Sequence, residues 1–381
     1  MKHYKMIDVV SEISERENSP STSGYDHFVG LEHYVSGEVK ITKFGSTANL
    51  DSAMKVFHSG DILVARRNVY LKRASVVFFD GLTSGDSIVL RAKDNRIARL
   101  LPFVLNTDAF WDYADQHADG TMSKRLSPKT LMQYEFDLPD DDQQDYLADT
   151  LWAAAETMAS YQNLLTQTDE LVKSQFIEMF HSYDAVPAGS IMHGMRNGVS
   201  PSKSGKHYEK ILTLSAITQG AFDANAWKDG FFDSCPPSEK RVSSSDFYMC
   251  RGNGNKTLVG TGVCSIEDRA DLVFPDTVIA AHVDEHKVCL PYLCVAWNQP
   301  SVRRQIEAAA RTTNGIYKIN QSIISNIEVI LPPLPLQYEF ANYIEQTYKS
   351  KFKLKQAIES VSDLIKSLMQ QTLATNRREG M

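Results

Sequence analysis

Two long stretches of this chain share one rhythm of apolar and polar positions. Within residues 138–179, Leu151, Ala154, Met158, Tyr161, Leu165, Thr168, Val172 and Met179 recur at helical spacing. Within residues 331–371, Ile344, Thr347, Leu354, Ile358, Val361, Ile365 and Leu368 do the same. An apolar position every three or four residues makes a narrow stripe along one side of a helix. Each stretch is therefore predicted to be one helix, roughly 50–55 Å long at about 1.5 Å per residue. A stripe this narrow calls for a partner helix. The helices could each lie on a separate globular core, or pack on each other. The pattern favours the second arrangement, an antiparallel coiled coil at the centre of the protein.

The two stretches superpose without a gap at an offset of 193 residues, which pairs Glu135 with Glu328, Pro139 with Pro332, Gln144 with Gln337, Ala148 with Ala341 and Lys173 with Lys366. Outside them the rhythm changes. Residues 38–80 alternate short β-branched and aromatic runs with glycine turns (GEVKITKFG, HSGDILVARR, ASVVFFDG), a strand-rich pattern. Another strand is predicted at SIVL, then an apolar run, LLPFVL, then a helix over 108–116. The second half retraces this order: Asp61 matches Asp246, Arg66 matches Arg251, Asp86 matches Asp276 and Pro102 matches Pro291, at offsets between 185 and 190. The offset drifts in the strand-rich parts and locks in the helices, so the chain reads as one scaffold used twice with loops of different length. Varied loops on a kept scaffold are a usual vehicle of recognition. The expected fold class is α+β: two homologous α/β domains at 1–137 and 181–330, long helices at 138–180 and 331–381, and a pseudo-twofold internal repeat.

Composition changes this picture little. A chain of 381 residues, 43% apolar and 23% charged, suits two or three ordinary globular domains. No apolar run approaches the ~18 residues needed to span a bilayer. The N-terminal segment carries acids and lacks the apolar core of a leader. Five cysteines (Cys235, Cys250, Cys264, Cys289, Cys294) match no zinc spacing, and their odd count argues against a disulfide framework. A cytoplasmic protein with no membrane partner is expected. The formal charge of −7 does not favour nucleic acid, but net charge is a poor guide to a local field.

Candidate chemistry is sparse. Asp276 after Pro275, followed by Glu285 and Lys287, matches a Pro-Asp and Glu-x-Lys pattern in which two acids hold Mg²⁺ and a lysine positions water. The matching region of the first half keeps Asp86 but has Asn95, Arg96, Ile97 and Ala98 where the Glu and Lys should fall. Gly252–Asn253 and the residues after it lack the glycine that a phosphate-binding loop needs before its lysine. No methyl-donor motif and no catalytic triad can be assembled, so no catalytic centre is expected. Polar, basic loops are more informative. Arg66, Arg67, Asn68, Lys72 and Arg73 follow the first Gly-Asp strand, and Arg251, Asn253, Asn255 and Lys256 follow its copy. Lys124 precedes the first long helix, Arg311 and Lys318 precede the second, and Lys43 lies in an earlier turn. These residue types contact phosphates and base edges, and both halves place them at matching positions. They are the candidate DNA-binding set.

Taken together, FVGLEH at 28–33, GDILVARR at 60–67, the paired LPDDDQQDYLA and LPPLPLQYEFA, and the paired DELVKS and SDLIKS resemble the specificity (S) subunit of type I DNA restriction–modification systems over nearly the whole chain. The first copy departs from the family by placing Asp140, Asp141 and Asp142 where the Pro-Leu run should be. The resemblance implies two target recognition domains that each read one half of a split site in double-stranded DNA. It implies paired helices that fix the unread gap. It also implies two methyltransferase subunits carrying S-adenosylmethionine and, where restriction subunits are present, two of those using ATP and Mg. The chain itself would hold no cofactor and supply address rather than chemistry. Two alternatives stand beside it: an endonuclease using Asp276, Glu285 and Lys287, and a scaffold that tethers two protein-binding domains.

Overall fold

The computed structural model describes residues 1–121, 123–313 and 315–374. The end of the predicted second helix segment, 375–381, and the loop residues Met122 and Asn314 lie outside the described residues. The chain divides into two compact units, Met1–Asn163 with the segment from Leu354 on, and Leu164–Lys353.

The first unit is closed by a two-stranded clasp. Lys2–Lys5 pairs antiparallel with Glu135–Leu138, so the two ends of its globular part are hydrogen-bonded to each other. Inside, Val10–Ile13, Ser87–Ala92, Ile62–Ala65 and Ala74–Val76 form an antiparallel sheet. Its strands are apolar on both faces. Ile62, Val64, Ile88 and Leu90 face a core shared with Leu100, Phe103, Phe110 and Trp111. Leu63, Ala65 and Val89 face Val29, Phe57 and Val77. Period-two alternation thus feeds two cores from one sheet. The second sheet has the order Arg16–Glu17, Met54–Phe57, Gly81–Thr83, His27–Val29, Gly45–Ser46, with one parallel pair, His27–Val29 against Gly81–Thr83. The apolar run LLPFVL falls within the helix Asn95–Val104 and its C-cap, and the predicted helix at 108 is Asp108–His117.

The second unit repeats this plan. Ala185–Pro187 clasps Glu328–Ile330. Met192–Asn197, Val278–Val283, Asp246–Cys250 and Gly262–Cys264 form the antiparallel sheet. Phe247, Met249, Ile279 and Ala281 face one core, and Tyr248, Cys250, Val278 and Ala280 face the other. The second sheet runs Trp227–Phe232, His207–Leu212, Arg269–Val273, Arg241–Val242, again with one parallel pair, His207–Leu212 against Arg269–Val273. The outer hairpin differs between the units: two rungs join His27–Val29 to Gly45–Ser46, whereas six join His207–Leu212 to Trp227–Phe232. An extra three-stranded sheet, Gly252–Asn253, Ile316–Lys318 and Arg311–Thr313, completes the second unit.

Both long helices form. The first, α1, spans Asp141–Phe180, and the second, α2, spans Leu334–Ala374. Leu334 stands 193 residues after Asp141, the repeat offset, so the acids of the first copy do not shift the helix start. Asp140 accepts from the amides of Gln143 and Gln144 through its carbonyl, and Asp141 and Asp142 lie in the first turn, where the helix field favours negative charge. Gln144 and Gln337 are buried in their respective units, and each donates from Nε2 to the carbonyl of the proline five residues earlier, Pro139 at 2.8 Å and Pro332 at 2.7 Å. Within the second unit the two helices run antiparallel: Asp169 pairs with Lys351, while Phe176 and Phe180 meet Phe340 at ring distances of 5.6 and 5.3 Å. Within the first unit, Met369 shares a core with Leu147, Leu151 and Ala155.

Candidate nucleic-acid interface

In the first unit the chain leaves the strand Ile62–Ala65 at Arg66, whose amide donates to the Asp86 carbonyl at 2.9 Å and whose Nε donates to the Leu126 carbonyl at 3.2 Å. Arg67 pairs with the Asp86 carboxylate at 2.9 Å, and Arg125 pairs with the same group. Burial and the like charge of Arg125 push the Arg66 guanidinium below its ordinary value. One carboxylate therefore faces three arginines, and the excess is positive. Asn68 and Lys72 take left-handed backbone, φ 55° and 48°, on either side of the turn Val69–Leu71. The Asn68 amide donates to the Lys124 carbonyl at 2.9 Å, which draws the 119–126 loop against the 66–73 loop. Arg73 donates to the carbonyls of Leu31 and Arg67, both at 3.0 Å.

The structure thus brings Arg66, Arg67, Asn68, Arg73 and Lys124 together. Lys72 is tied to Asp108 at 2.5 Å and Lys124 to Asp115 at 2.6 Å. Lys43 is exposed on another segment, beside Phe44. Arg125, which is not among the sequence candidates, belongs to the cluster; its position opposite Arg67 across a β-bridge was not visible in the sequence.

In the second unit Arg251 follows the strand Asp246–Cys250. Its amide donates to the Thr277 carbonyl at 2.8 Å and its Nη1 to the Asp276 carbonyl at 3.1 Å. The three-stranded sheet then gathers the rest: Gly252 is opposite Lys318, Asn253 is opposite Tyr317, and Lys318 is opposite Arg311. Lys256 lies over the Tyr317 ring, 5.9 Å from its centre. Asn253 and Asn255 use their side-chain carbonyls within the turn, accepting from the amides of Asn255 at 2.9 Å and Thr257 at 3.0 Å. From behind, Arg303 donates to the carbonyls of Thr257 and Val259 at 2.9 and 2.6 Å and fixes the loop. Among the described residues Lys256, Arg311 and Lys318 have no acidic partner, so this patch projects an uncompensated positive field.

Sequence reasoning missed a second part of this surface. The segment 199–206 starts at the Arg251 patch, where the Asp276 amide donates to the Val199 carbonyl at 3.2 Å. It ends on the ribbon formed by His207–Leu212 and Trp227–Phe232, where the amides of Ser202 and Lys206 donate to the carbonyls of Phe231 and Phe232 at 2.8 and 3.0 Å. The signal was the alternation of lysine and aromatic residues in KSGKHYEK and WKDGFF.

The endonuclease alternative fails on geometry. Asp276 precedes and Glu285 follows the extended strand Val278–Val283. Six residues at about 3.3 Å each hold the two acids on the order of 20 Å apart, far beyond a shared Mg²⁺, which needs ligands at about 2.0–2.1 Å. Lys287 pairs instead with Asp284 at 3.1 Å.

No family model matches the chain. It is 25% identical over 143 residues to the type I restriction enzyme StySPI specificity subunit of Salmonella potsdam. That match takes in 37% of this chain and 31% of the relative, so the chain spans about a third of the length of the curated relative it matches. The fold is similar to the S subunit of a type I restriction–modification system from M. genitalium, with a TM-score of 0.53 at 12% identity over 98% of this chain and 96% of that one. It is also similar to a chain solved in a study of complex assembly and conformational transition of the type I restriction–modification system, with a TM-score of 0.52 at 18% identity over 100% and 98% of the two chains. The resemblance to type I specificity subunits read from the sequence is borne out, and the fold is the mixed α and β fold of these subunits. Among the described residues no helix is long and apolar enough to cross a membrane.

Proposed function

We propose that this chain is the DNA-recognition subunit of a type I restriction–modification complex. Residues 1–137 and 181–330 are its two target recognition domains, and each reads one half of a split site in double-stranded DNA. The spacers at 138–180 and 331–381 pair as an antiparallel coiled coil and set the unread gap, because half-site separation on a duplex is a geometric property of the protein that spans it. The observation that carries the reading is the repeat itself. Two units of one topology each place a cluster of arginine, lysine and asparagine where the chain leaves the same sheet strand.

In this reading Arg66, Arg67, Asn68, Lys72, Arg73, Lys43 and Lys124 serve the first half-site. Arg251, Asn253, Asn255, Lys256, Arg311 and Lys318 serve the second. The pseudo-twofold repeat suits two identical methyltransferase subunits, which bring S-adenosylmethionine and methylate adenine. Restriction subunits, where present, bring ATP and Mg. The chain itself is non-catalytic and works in the cytoplasm.

The test is a map of methylated adenine across the genome of the source cell and of a strain lacking this chain. A two-part motif methylated only when the chain is present supports the proposal. Identical maps refute it and favour the tethering-scaffold alternative.

A further inference from the structure

The ribbon formed by His207–Leu212 and Trp227–Phe232 presents three large rings to solvent: Tyr208 is 52% exposed, Phe231 48% and Trp227 37%. Tyr208 and Phe231 are cross-strand partners with ring centres 5.8 Å apart, and Trp227 lies on the same face beneath the Lys210 ammonium, 4.7 Å from its ring centre. A folded chain rarely leaves such a cluster uncovered without use for it. The same corner of the first unit, beside the strand paired parallel to Gly81–Thr83, also carries an exposed ring: Phe44 is 49% exposed and packs on His27 at 4.3 Å. Rings recur at equivalent places in two units whose loops otherwise diverge.

Two of the acids around the ribbon are paired within the protein: Glu209 is gripped by both terminal nitrogens of Arg241 at 3.1 and 2.7 Å. Asp271 is held by Arg269 at 2.8 Å and Lys210 at 3.2 Å, while Asp229 keeps its charge and, among the described residues, accepts only from the Tyr208 hydroxyl at 3.0 Å. Lys203, Lys206 and Lys228 are exposed and have no partner of opposite charge among the described residues. Apart from Asp229, what faces outward is apolar and flanked by unpaired lysines, which complements a polyanion with apolar groups along its groove.

The 199–206 segment joins this surface to the Arg251 patch. It is seated closely, because a Cβ at Gly205 would fall 2.5 Å from the Phe232 backbone. His207–Leu212 pairs with Arg269–Val273 at Lys210 and Ile211, so the end that carries Tyr208 and Phe231 is two-stranded, and a two-stranded ribbon fits the major groove of B-form DNA.

We propose that this ribbon reads base edges for the second recognition domain, resting on the DNA-recognition reading above. Trp227, Tyr208 and Phe231 contact thymine methyls in the major groove, and Lys203 and Lys206 hold the flanking phosphates. The Arg251 patch then positions rather than reads, since much of its hydrogen-bonding capacity is used within the protein.

The experiment maps methylated adenine in cells that carry the full chain with Phe231→Ala, Trp227→Ala or the conservative Tyr208→Phe, and measures binding of the purified complex to a duplex bearing the parent motif. Phe231→Ala and Trp227→Ala are expected to relax discrimination roughly fivefold or more at positions in one half of the motif and leave the other half intact. Tyr208→Phe is expected to keep the motif. Lys203→Ala with Lys206→Ala is expected to keep the motif while lowering the slope of log affinity against log salt by about 2. A motif unchanged in the Phe231 and Trp227 variants overturns the ribbon assignment, yet leaves the specificity reading standing, because methylation still follows the chain. Loss of both halves together, with loss of co-purifying subunits, overturns it in favour of a protein-docking surface. Parent and variant melting temperatures are compared first, and Phe231→Leu replaces any variant that does not fold.

Discussion

Gln144 and Gln337 occupy the same position in the two copies, and removing them should not cost the same. Gln337 is fully served: Oε1 accepts from the Cys289 amide at 2.8 Å, and Nε2 donates to the carbonyls of Lys287 at 3.0 Å and Pro332 at 2.7 Å. Gln144 donates to Pro139 at 2.8 Å and to the Tyr4 hydroxyl at 3.2 Å, but its Oε1 is buried without a partner among the described residues. The residue matching Cys289 lies inside the helix Asn95–Val104, where amides are used by the helix itself. Gln337→Leu strands a buried amide and two carbonyls. At about 1–3 kcal/mol per stranded group, with carbonyls toward the low end, the loss is about 3–5 kcal/mol. Gln144→Leu strands one carbonyl but also removes an unsatisfied oxygen, so the net is about 0–1 kcal/mol. For a domain of this size about 2–4 °C of melting temperature accompanies each kcal/mol. The Gln337 variant should melt roughly 6–20 °C lower, with faster amide exchange in 185–330, while the Gln144 variant stays near the parent. Equal losses, or a larger loss from Gln144→Leu, would refute this accounting of satisfied and unsatisfied groups.

Other consequences can be checked alongside. Asp246 is buried, and it binds Arg196 and the Nδ1 of His282 at 2.7 Å, whereas Asp61 pairs with an Arg91 side chain that is 44% exposed. Asp246→Ala should cost about 3–5 kcal/mol, because Arg196 is left nearly buried, and Asp61→Ala clearly less, a ranking read from denaturant midpoints. Arg303→Ala should raise amide exchange at 256–259 and weaken DNA binding without changing its salt slope, because Arg303 braces the loop by hydrogen bonds and contacts no phosphate in the proposed interface. Arg311→Ala and Lys318→Ala should each reduce that slope by about 0.9. The Arg241 hydrogen bonds hold the Glu209 carboxyl below its ordinary value of 4.5. A depressed carboxyl stabilises the fold above the unfolded value and loses that contribution as pH falls through the folded one. The melting difference between parent and Glu209→Gln should therefore be fully present at neutral pH and shrink as pH falls below 4.5.

The long helices were legible because a stripe of 3.5-residue period admits few other structures, and because the copies could be checked against each other at Pro139 and Pro332. The strand Ile62–Ala65 and the loops after it were legible from β-branched runs broken by glycine. The ribbon was not. Phe231 and Phe232 are neighbours of the same type, and in a strand one must face in and the other out. Phe232 is buried and Phe231 is not, a choice made by the sheet beneath them. Arg125 escaped for a similar reason, since its role depends on a bridge to Arg67 across 58 residues of chain. The triple pattern of Asp276, Glu285 and Lys287 could be kept only as an alternative, because sequence spacing carries no distance until the strand between them is known to be extended.

The clasps have a consequence for how such a chain can change. Lys2–Lys5 meets Glu135–Leu138, and Ala185–Pro187 meets Glu328–Ile330, so each globular part begins and ends at one spot. Everything between a clasp's two strands can be replaced as a single cassette, with the helices that follow keeping their start and their length. A recombination event anywhere within α1 would join one domain's old text to another domain's new text without disturbing the punctuation between them. Under the proposed function, a new address would then require neither a new spacer nor new partners.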